Sequence, residues 1–190
     1  LISFIYEMIP KHDLVIVSDY GHGFLCKKTA HEISRQSIFT SLNAQINSSN
    51  IGYHTLKNYR NINCTIINEN ELRYELRDRE SNIKTLIQRL AKRLKIKYLV
   101  VTQGSNGAIL YDSDNKKFDY CPAYANNVLD KIGAGDAMLS LLSCSLKSGF
   151  DTNLSLLIGS LAAAQSVETI GNSTKVSKVQ LLKTFSHITK

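Results

Sequence analysis

The sequence is short of proline, paired cysteines and long apolar runs, and each shortage removes a class of protein. Only two prolines, Pro10 and Pro122, occur in 190 residues. No low-complexity tract, internal repeat or linker-like segment interrupts the chain, so proline-rich or disordered organisation is excluded. The four cysteines, Cys26, Cys64, Cys121 and Cys144, lie far apart. They form no C-x-x-C pair and no cysteine–histidine spacing, which removes a disulfide framework and a zinc site. Three of them stand in apolar stretches, where a reduced thiol behaves as a small hydrophobe; a reducing, cytoplasmic setting is expected. The apolar run 154–164 is broken by Ser155, Gly159 and Ser160. It falls short of the ~20 residues that cross a bilayer, so it reads as a buried helix, with no membrane partner. No signal peptide is visible, and the chain opens Leu1-Ile2-Ser3-Phe4 without a methionine.

Lys and Arg number 23 against 16 Asp and Glu, a net charge of +7. The basic residues are spread out, with local density at 73–79 and 84–97, where they alternate with Leu and Ile at helical spacing, as on solvated helix faces. Nucleic acid needs a denser patch, so no nucleic-acid partner is expected. A mild positive field does suit nucleotides and sugar phosphates. With 43% hydrophobic residues, the chain 1–190 can bury the core of a single α/β domain.

Periodicity supplies the elements. Residues 14–17, Leu-Val-Ile-Val, read as a buried strand that ends in the glycine turn Ser18-Asp19-Tyr20-Gly21-His22-Gly23. Helical character is predicted over 29–39, a second strand over 42–46 and a short helix over 51–59. Residues 64–67 form another strand, followed by a helix over 72–76. Ile83, Leu86, Ile87, Leu90 and Leu94 mark one face of an amphipathic helix. Strands at 98–102, 108–111 and 117–121, joined by polar turns, make a small meander. Helices are predicted at about 136–146, after Asn153, and from Ser177. Alternating strand and helix implies an α/β fold with a mostly parallel sheet covered on both faces.

The segment Gly133-Ala134-Gly135-Asp136 carries the clearest chemistry. Its glycines let backbone N–H groups approach a ligand, and a helix starts there, so its unpaired N–H groups and positive dipole end make an anion site. Asp136, in the first turn, stands where a carboxylate can take a proton from a substrate hydroxyl while the amides stabilise charge on a phosphoryl group. A dinucleotide fingerprint would need glycine where Met138 stands, and no GxxxxGK[ST] exists, so nicotinamide chemistry and a P-loop are both disfavoured. The plainer alternative is a glycine loop with a capping aspartate.

Asp130-Lys131-Ile132-Gly133-Ala134-Gly135-Asp136 resembles the D-x-x-G-A-G-D signature of ribokinase-like (PfkB) carbohydrate kinases. Asn68-Glu69-Asn70-Glu71 resembles that family's N-x-x-E motif, and Thr102-Gln103-Gly104-Ser105-Asn106-Gly107 its T-x-G-x-x-G turn. The three occur in the family's order on predicted strand ends. The segment Asp13 to Gly23 is similar to the bacterial heptose-phosphate kinase branch, which makes ADP-heptose for surface polysaccharide. His22 stands where that branch commonly has Lys, and Leu42-Asn43-Ala44-Gln45-Ile46-Asn47 replaces its Asp-Pro-Lys.

The resemblance implies a three-layer ribokinase-like fold and transfer of phosphate from ATP to a sugar or sugar phosphate. It implies Asp136 as base and Gly133, Ala134 and Gly135 as anion hole. Glu71 and Asn68 would position Mg²⁺ through water, and Thr102, Gly104, Ser105, Gly107 and Asn172 would shape the nucleotide site. Asp19 and Asn43 would meet substrate at strand ends. A monovalent cation and a homodimer are compatible with it. Family members are longer, with an N-terminal Gly-Gly motif and a small β lid that are not found here, so the chain is expected to be the C-terminal portion of such a kinase.

Local alternatives remain open beside these roles. Asn68 and Glu71 fit a capping box, 102–107 fits a hairpin turn, and Asp19 fits a turn stabiliser. A catalytically silent nucleotide-binding or interaction domain of the same fold is the competing function.

Overall fold

Side chains alternate strictly along the central strands, and the alternation builds two cores. The computed structural model describes residues 1–36, 38–46, 50, 56–125 and 127–188. Six strands lie in the order β1 (Leu14–Asp19), β2 (Phe39–Ala44), β3 (Cys64–Asn68), β4 (Tyr98–Thr102), β5 (Ala108–Asp112) and β6 (Lys117–Cys121). The first four are parallel, and β5 and β6 are antiparallel additions that form the predicted meander. Ile67, Leu99, Val101 and Ile109 point to one face, where they pack with Leu72 of helix α3 (Glu69–Leu76) and Leu86, Ile87 and Leu90 of helix α4 (Ile83–Leu94). Cys64, Ile66, Val100 and Leu110 point to the other face, against Met138, Leu139 and Leu142 of helix α5 (Ala134–Lys147) and Leu156 of helix α6 (Thr152–Val167). Each such side chain taken out of water contributes about 1.5–3 kcal/mol, so both faces of the sheet must be covered.

Short polar side chains set the helix starts. The Asn82 side chain accepts from Lys84 N at 2.9 Å to open α4, and Asp151 accepts from Leu154 N at 2.9 Å to open α6. Helix α4 ends where Lys95 turns left-handed at φ 56°. The apolar run 154–164 lies within α6, as its composition requires. No helix among the described residues is long and apolar enough to cross a membrane. A last helix, α7 (Lys178–Ile188), packs on α6.

Several boundaries differ from the pattern-based expectation. Helix α1 (Ile2–Met8) was not anticipated; it packs on α2 (Lys27–Ser34), which ends well before Phe39. Phe39 instead opens β2, because Asn63 grips the next residue twice: its side chain accepts from Thr40 N at 2.8 Å and its own N–H donates to Thr40 O at 3.0 Å. The strand predicted at 42–46 therefore runs from 39 to 44. Of the helix predicted at 51–59, residues 51–55 lie outside the described residues, and Leu56–Asn58 form a 3-10 turn. Cys64 and Cys121 are buried, Cys26 and Cys144 exposed, and all are free thiols.

Candidate functional site

Four parallel strands bring their carboxyl ends to one edge of the sheet. Asp19 ends β1, Ala44 ends β2, Asn68 ends β3 and Thr102 ends β4. Antiparallel pairing then sets Ala108 beside Thr102 and Cys121 beside Ala108. The start of α5 reaches the same edge, since Asp136 is hydrogen-bonded from the end of β1. Ligands of open α/β sheets bind beyond such an edge.

Gly133 is the N-cap of α5 and adopts φ 83°, a left-handed value that only glycine takes without strain. No side chain caps this end. The first intrahelical bond is from Ala137 N to Gly133 O at 2.9 Å, so the N–H groups of Ala134, Gly135 and Asp136 find no partner within the helix. Asp136, in the first turn, is half-buried. The Ser18 hydroxyl donates to its Oδ1 at 2.8 Å and the Tyr20 hydroxyl to its Oδ2 at 2.9 Å. The Tyr20 phenol sits above its ordinary value: the Ser18 hydroxyl opposes the rise, while bonding to Asp136, burial and the Asp136 charge produce it.

Asn43, near the end of β2, lies beneath this helix start. It is buried at 6% exposure, and a Cβ on Gly135 would come 3.2 Å from its Nδ2. Its Oδ1 is buried and has no hydrogen-bond partner among the described residues. Gly135 therefore permits the helix end to settle on the Asn43 amide.

Asp19 faces away from Asp136. It is buried, its Oδ2 accepts from the Tyr59 hydroxyl at 2.6 Å, and its Oδ1 accepts from Gly21 N at 2.9 Å. Burial, then the bond to Asp19, pushes the Tyr59 phenol far above its ordinary value. Asp19 thus holds the turn that carries Tyr20.

Asn68 and Glu71 realise the capping box. Asn68 Oδ1 accepts from Glu71 N at 2.9 Å and Glu71 Oε2 accepts from Asn68 N at 3.0 Å. Glu71 Oε1 also accepts from Ile46 N at 3.2 Å, which ties the tail of β2 to α3. Burial raises the Glu71 carboxyl, against the lowering effect of the two backbone N–H groups.

Residues 102–107 form the turn between β4 and β5. Gly104–Asn106 is a 3-10 turn, closed by Gln103 N on Gly107 O at 2.8 Å. Thr102 is half-buried, and Gly104 and Ser105 are exposed. Gln103 Nε2 donates to Glu69 Oε2 at 2.8 Å, joining this turn to the N-x-x-E segment. The Asp130 carboxylate accepts from Ile132 N at 2.9 Å and Gly171 N at 3.0 Å, and these backbone bonds lower it. They draw the 3-10 turn Ile170–Asn172 against the loop before α5; the Asn172 side chain lies outside the described residues.

Ser18, Tyr20 and Tyr59 are the site residues that sequence reading missed. A partial signal existed: at a strand end, residues 18 and 20 share one face and 19 the other. Among the described residues, no group of three or more His, Cys, Asp or Glu is placed to hold a metal ion. Glu71 and Asn68 supply oxygen donors, each with a lone pair left beyond the capping box, of the type a hard cation such as Mg²⁺ takes through its retained waters.

The sequence matches the pfkB family of carbohydrate kinases over residues 7–179. It is 30% identical over 177 residues to the bifunctional protein HldE of Campylobacter fetus, covering 91% of this chain and 37% of that protein. The chain spans about a third of the length of the curated relatives it matches. Escherichia coli phosphofructokinase-2, in a crystal structure with potassium, superposes with a TM-score of 0.80 at 15% identity, covering 100% of this chain and 62% of that one. Arabidopsis thaliana ribokinase complexed with ribose and ATP gives 0.71 at 19% identity, covering 93% and 57%. These structural likenesses carry the fold, and it is ribokinase-like. Together with the match along most of its length, they lead to one statement: the chain belongs to the pfkB family of carbohydrate kinases.

Proposed function

We propose that this chain carries the phosphoryl-transfer machinery of an ATP-dependent kinase acting on a sugar or sugar-phosphate hydroxyl. The observation that supports it most is Asp136, held open in the first turn of a helix whose leading N–H groups have no side-chain cap. Asp136 takes the proton of the acceptor hydroxyl, which then attacks the γ-phosphorus as the bond to ADP breaks. The N–H groups around Gly133, Ala134 and Gly135 stabilise the charge on the transferred group. Thr102, Gly104, Ser105 and Gly107, with Asn172 brought in by Asp130, bound the nucleotide. Asn43 lies beneath the transfer site, and Asp19 supports the substrate side by holding its turn. Glu71 and Asn68 are the residues that would hold Mg²⁺ through water, and the ion would supply charge screening of the phosphates.

The acceptor favoured here is a heptose phosphate, from the likeness of residues 13–23 to that kinase branch and from the relatives named HldE. The test is ATP turnover by the full-length protein across a panel of sugars and sugar phosphates. Heptose phosphates are expected to be preferred, and Asp136→Asn to lower turnover by at least ~10²-fold, the lower end for a positioned base. Wild-type turnover in that variant would remove Asp136 from the reaction.

A further inference from the structure

Asp136 and Glu71 occupy the same helix position, the third residue of α5 and of α3, yet they behave in opposite ways. An acid at this position commonly folds back on the N-cap N–H of its own helix. Glu71 does so, onto Asn68 N at 3.0 Å. Asp136 does not, because both of its oxygens are drawn to β1, by Ser18 at 2.8 Å and Tyr20 at 2.9 Å. Were it to fold back, it would cover the N–H groups of its own helix, and base and anion hole would cancel each other.

We propose that Ser18 and Tyr20 are positioning residues: their hydroxyls clamp the Asp136 carboxylate away from the α5 N-terminus, keeping it and the adjacent N–H groups both available to substrate. The proposal rests on Asp136 being the base. One donor on each oxygen fixes the carboxylate plane, and a carboxylate has about four acceptor sites, so each oxygen keeps a lone pair for the incoming hydroxyl. The clamp has its own anchor. Strand alternation turns Asp19 to the opposite face, where Tyr59 binds it at 2.6 Å and Gly21 N closes the turn at 2.9 Å. Pulling on Asp19 from behind therefore presents Ser18 and Tyr20 in front. Tyr20 is 46% exposed, so the clamp on Asp136 is reachable from solvent.

The experiment has two readouts on the full-length protein. The first is ultraviolet titration of the Tyr20 phenol, isolated as the difference between each protein and its Tyr20→Phe version. Asp136→Asn is expected to move that titration to lower pH, since the carboxylate that raises it is gone; Tyr6→Phe, remote from the site, should leave it in place. The second is turnover. Ser18→Ala and Tyr20→Phe should each lower kcat about tenfold and the double variant about a hundredfold, with KM for the sugar changed less than about twofold, as expected for a misplaced base. Ser18→Thr, which restores a hydroxyl, should recover most of the loss. A Tyr20 titration indifferent to Asp136→Asn overturns the clamp, and wild-type kcat in the double variant overturns its role. If Asp136→Asn itself turns over normally while the titration still moves, the contact stands and the base reading falls, taking the positioning role with it.

Discussion

The Asn68 and Glu71 side chains each accept the other's backbone N–H, at 2.9 and 3.0 Å, at the point where β3 becomes α3. This reciprocal pair is structural whatever else the two residues do. Asn68→Ala should therefore destabilise the protein by about 1 kcal/mol, the usual worth of an N-cap, and Asn68→Ser should restore most of it. Glu71→Ala should cost more, about 2 kcal/mol, because it strips acceptors from both Asn68 N and Ile46 N. Urea unfolding measures both; an Asn68→Ala midpoint equal to wild type would show that the cap carries no stability.

The turn after β4 separates two glycines that look alike in the sequence. Gly104 has φ 60° and nothing within 4 Å of an added Cβ, whereas Gly107 has φ 86° and a Cβ there would meet Cys121 O at 2.0 Å and Pro122 at 2.8 Å. Gly104→Ala meets only the left-handed penalty, about 1–2 kcal/mol. Gly107→Ala meets a backbone clash as well and should lose at least ~3 kcal/mol or fail to fold. Thermal unfolding of the two variants side by side should separate them widely; equal midpoints would contradict the register between β5 and β6.

What the sequence revealed, and what it hid, follows from the range of the interactions. The Ile83, Leu86, Ile87, Leu90 and Leu94 stripe announced α4 because helix burial repeats locally. The β-branched run Tyr98–Thr102 announced β4, and the Asn68–Glu71 spacing announced a helix start. The Gly133 turn and the helix behind it were equally legible, since glycine and cap chemistry act over a few residues. The clamp on Asp136 was not, because Ser18 and Tyr20 stand 118 and 116 residues away and only the packing of α5 on β1 joins them. The partner of Asp19 was hidden in the same way, 40 residues off in Tyr59. Helix α1 escaped notice because no capping side chain marks its start.

Acid should loosen the corner between α3 and α4. Asp78 accepts from Ser81 N at 3.0 Å and from Arg89 at 2.7 Å, and these bonds, the backbone one foremost, hold its carboxyl well below the usual aspartate range. A carboxyl depressed on folding adds stability above its unfolded value and loses it as pH falls through the folded one. Asp78→Asn should thus be less stable than wild type at neutral pH, and the two should converge in strong acid. Urea midpoints taken across the acid range test this; a constant gap at every pH would exclude Asp78 as the source.

Two glycines on the helical face of α5 and α6 should fail in opposite ways. Gly159 lies where α6 crosses α5, and an added Cβ would come 2.9 Å from Leu142 Cβ and 3.2 Å from Met138 Cγ. Alanine gains about 1 kcal/mol of helix propensity there, but overpacking a close helix contact costs about 1–3 kcal/mol. Gly159→Ala should therefore be neutral to destabilising, and the turnover of its folded fraction should be unchanged. Gly135 is in the first turn of α5, and its added Cβ would come 3.2 Å from the buried Asn43 Nδ2. Either the amide or the helix start must yield by a few tenths of an ångström, and the helix start carries the proposed anion hole. Gly135→Ala should keep stability within about 1 kcal/mol while lowering phosphoryl transfer about tenfold or more, as expected for a small misplacement at the reacting centre. Calorimetry and turnover measured on both variants decide the matter: a Gly135→Ala protein with wild-type kcat would mean that the α5 N-terminus does not bear on the transferred group.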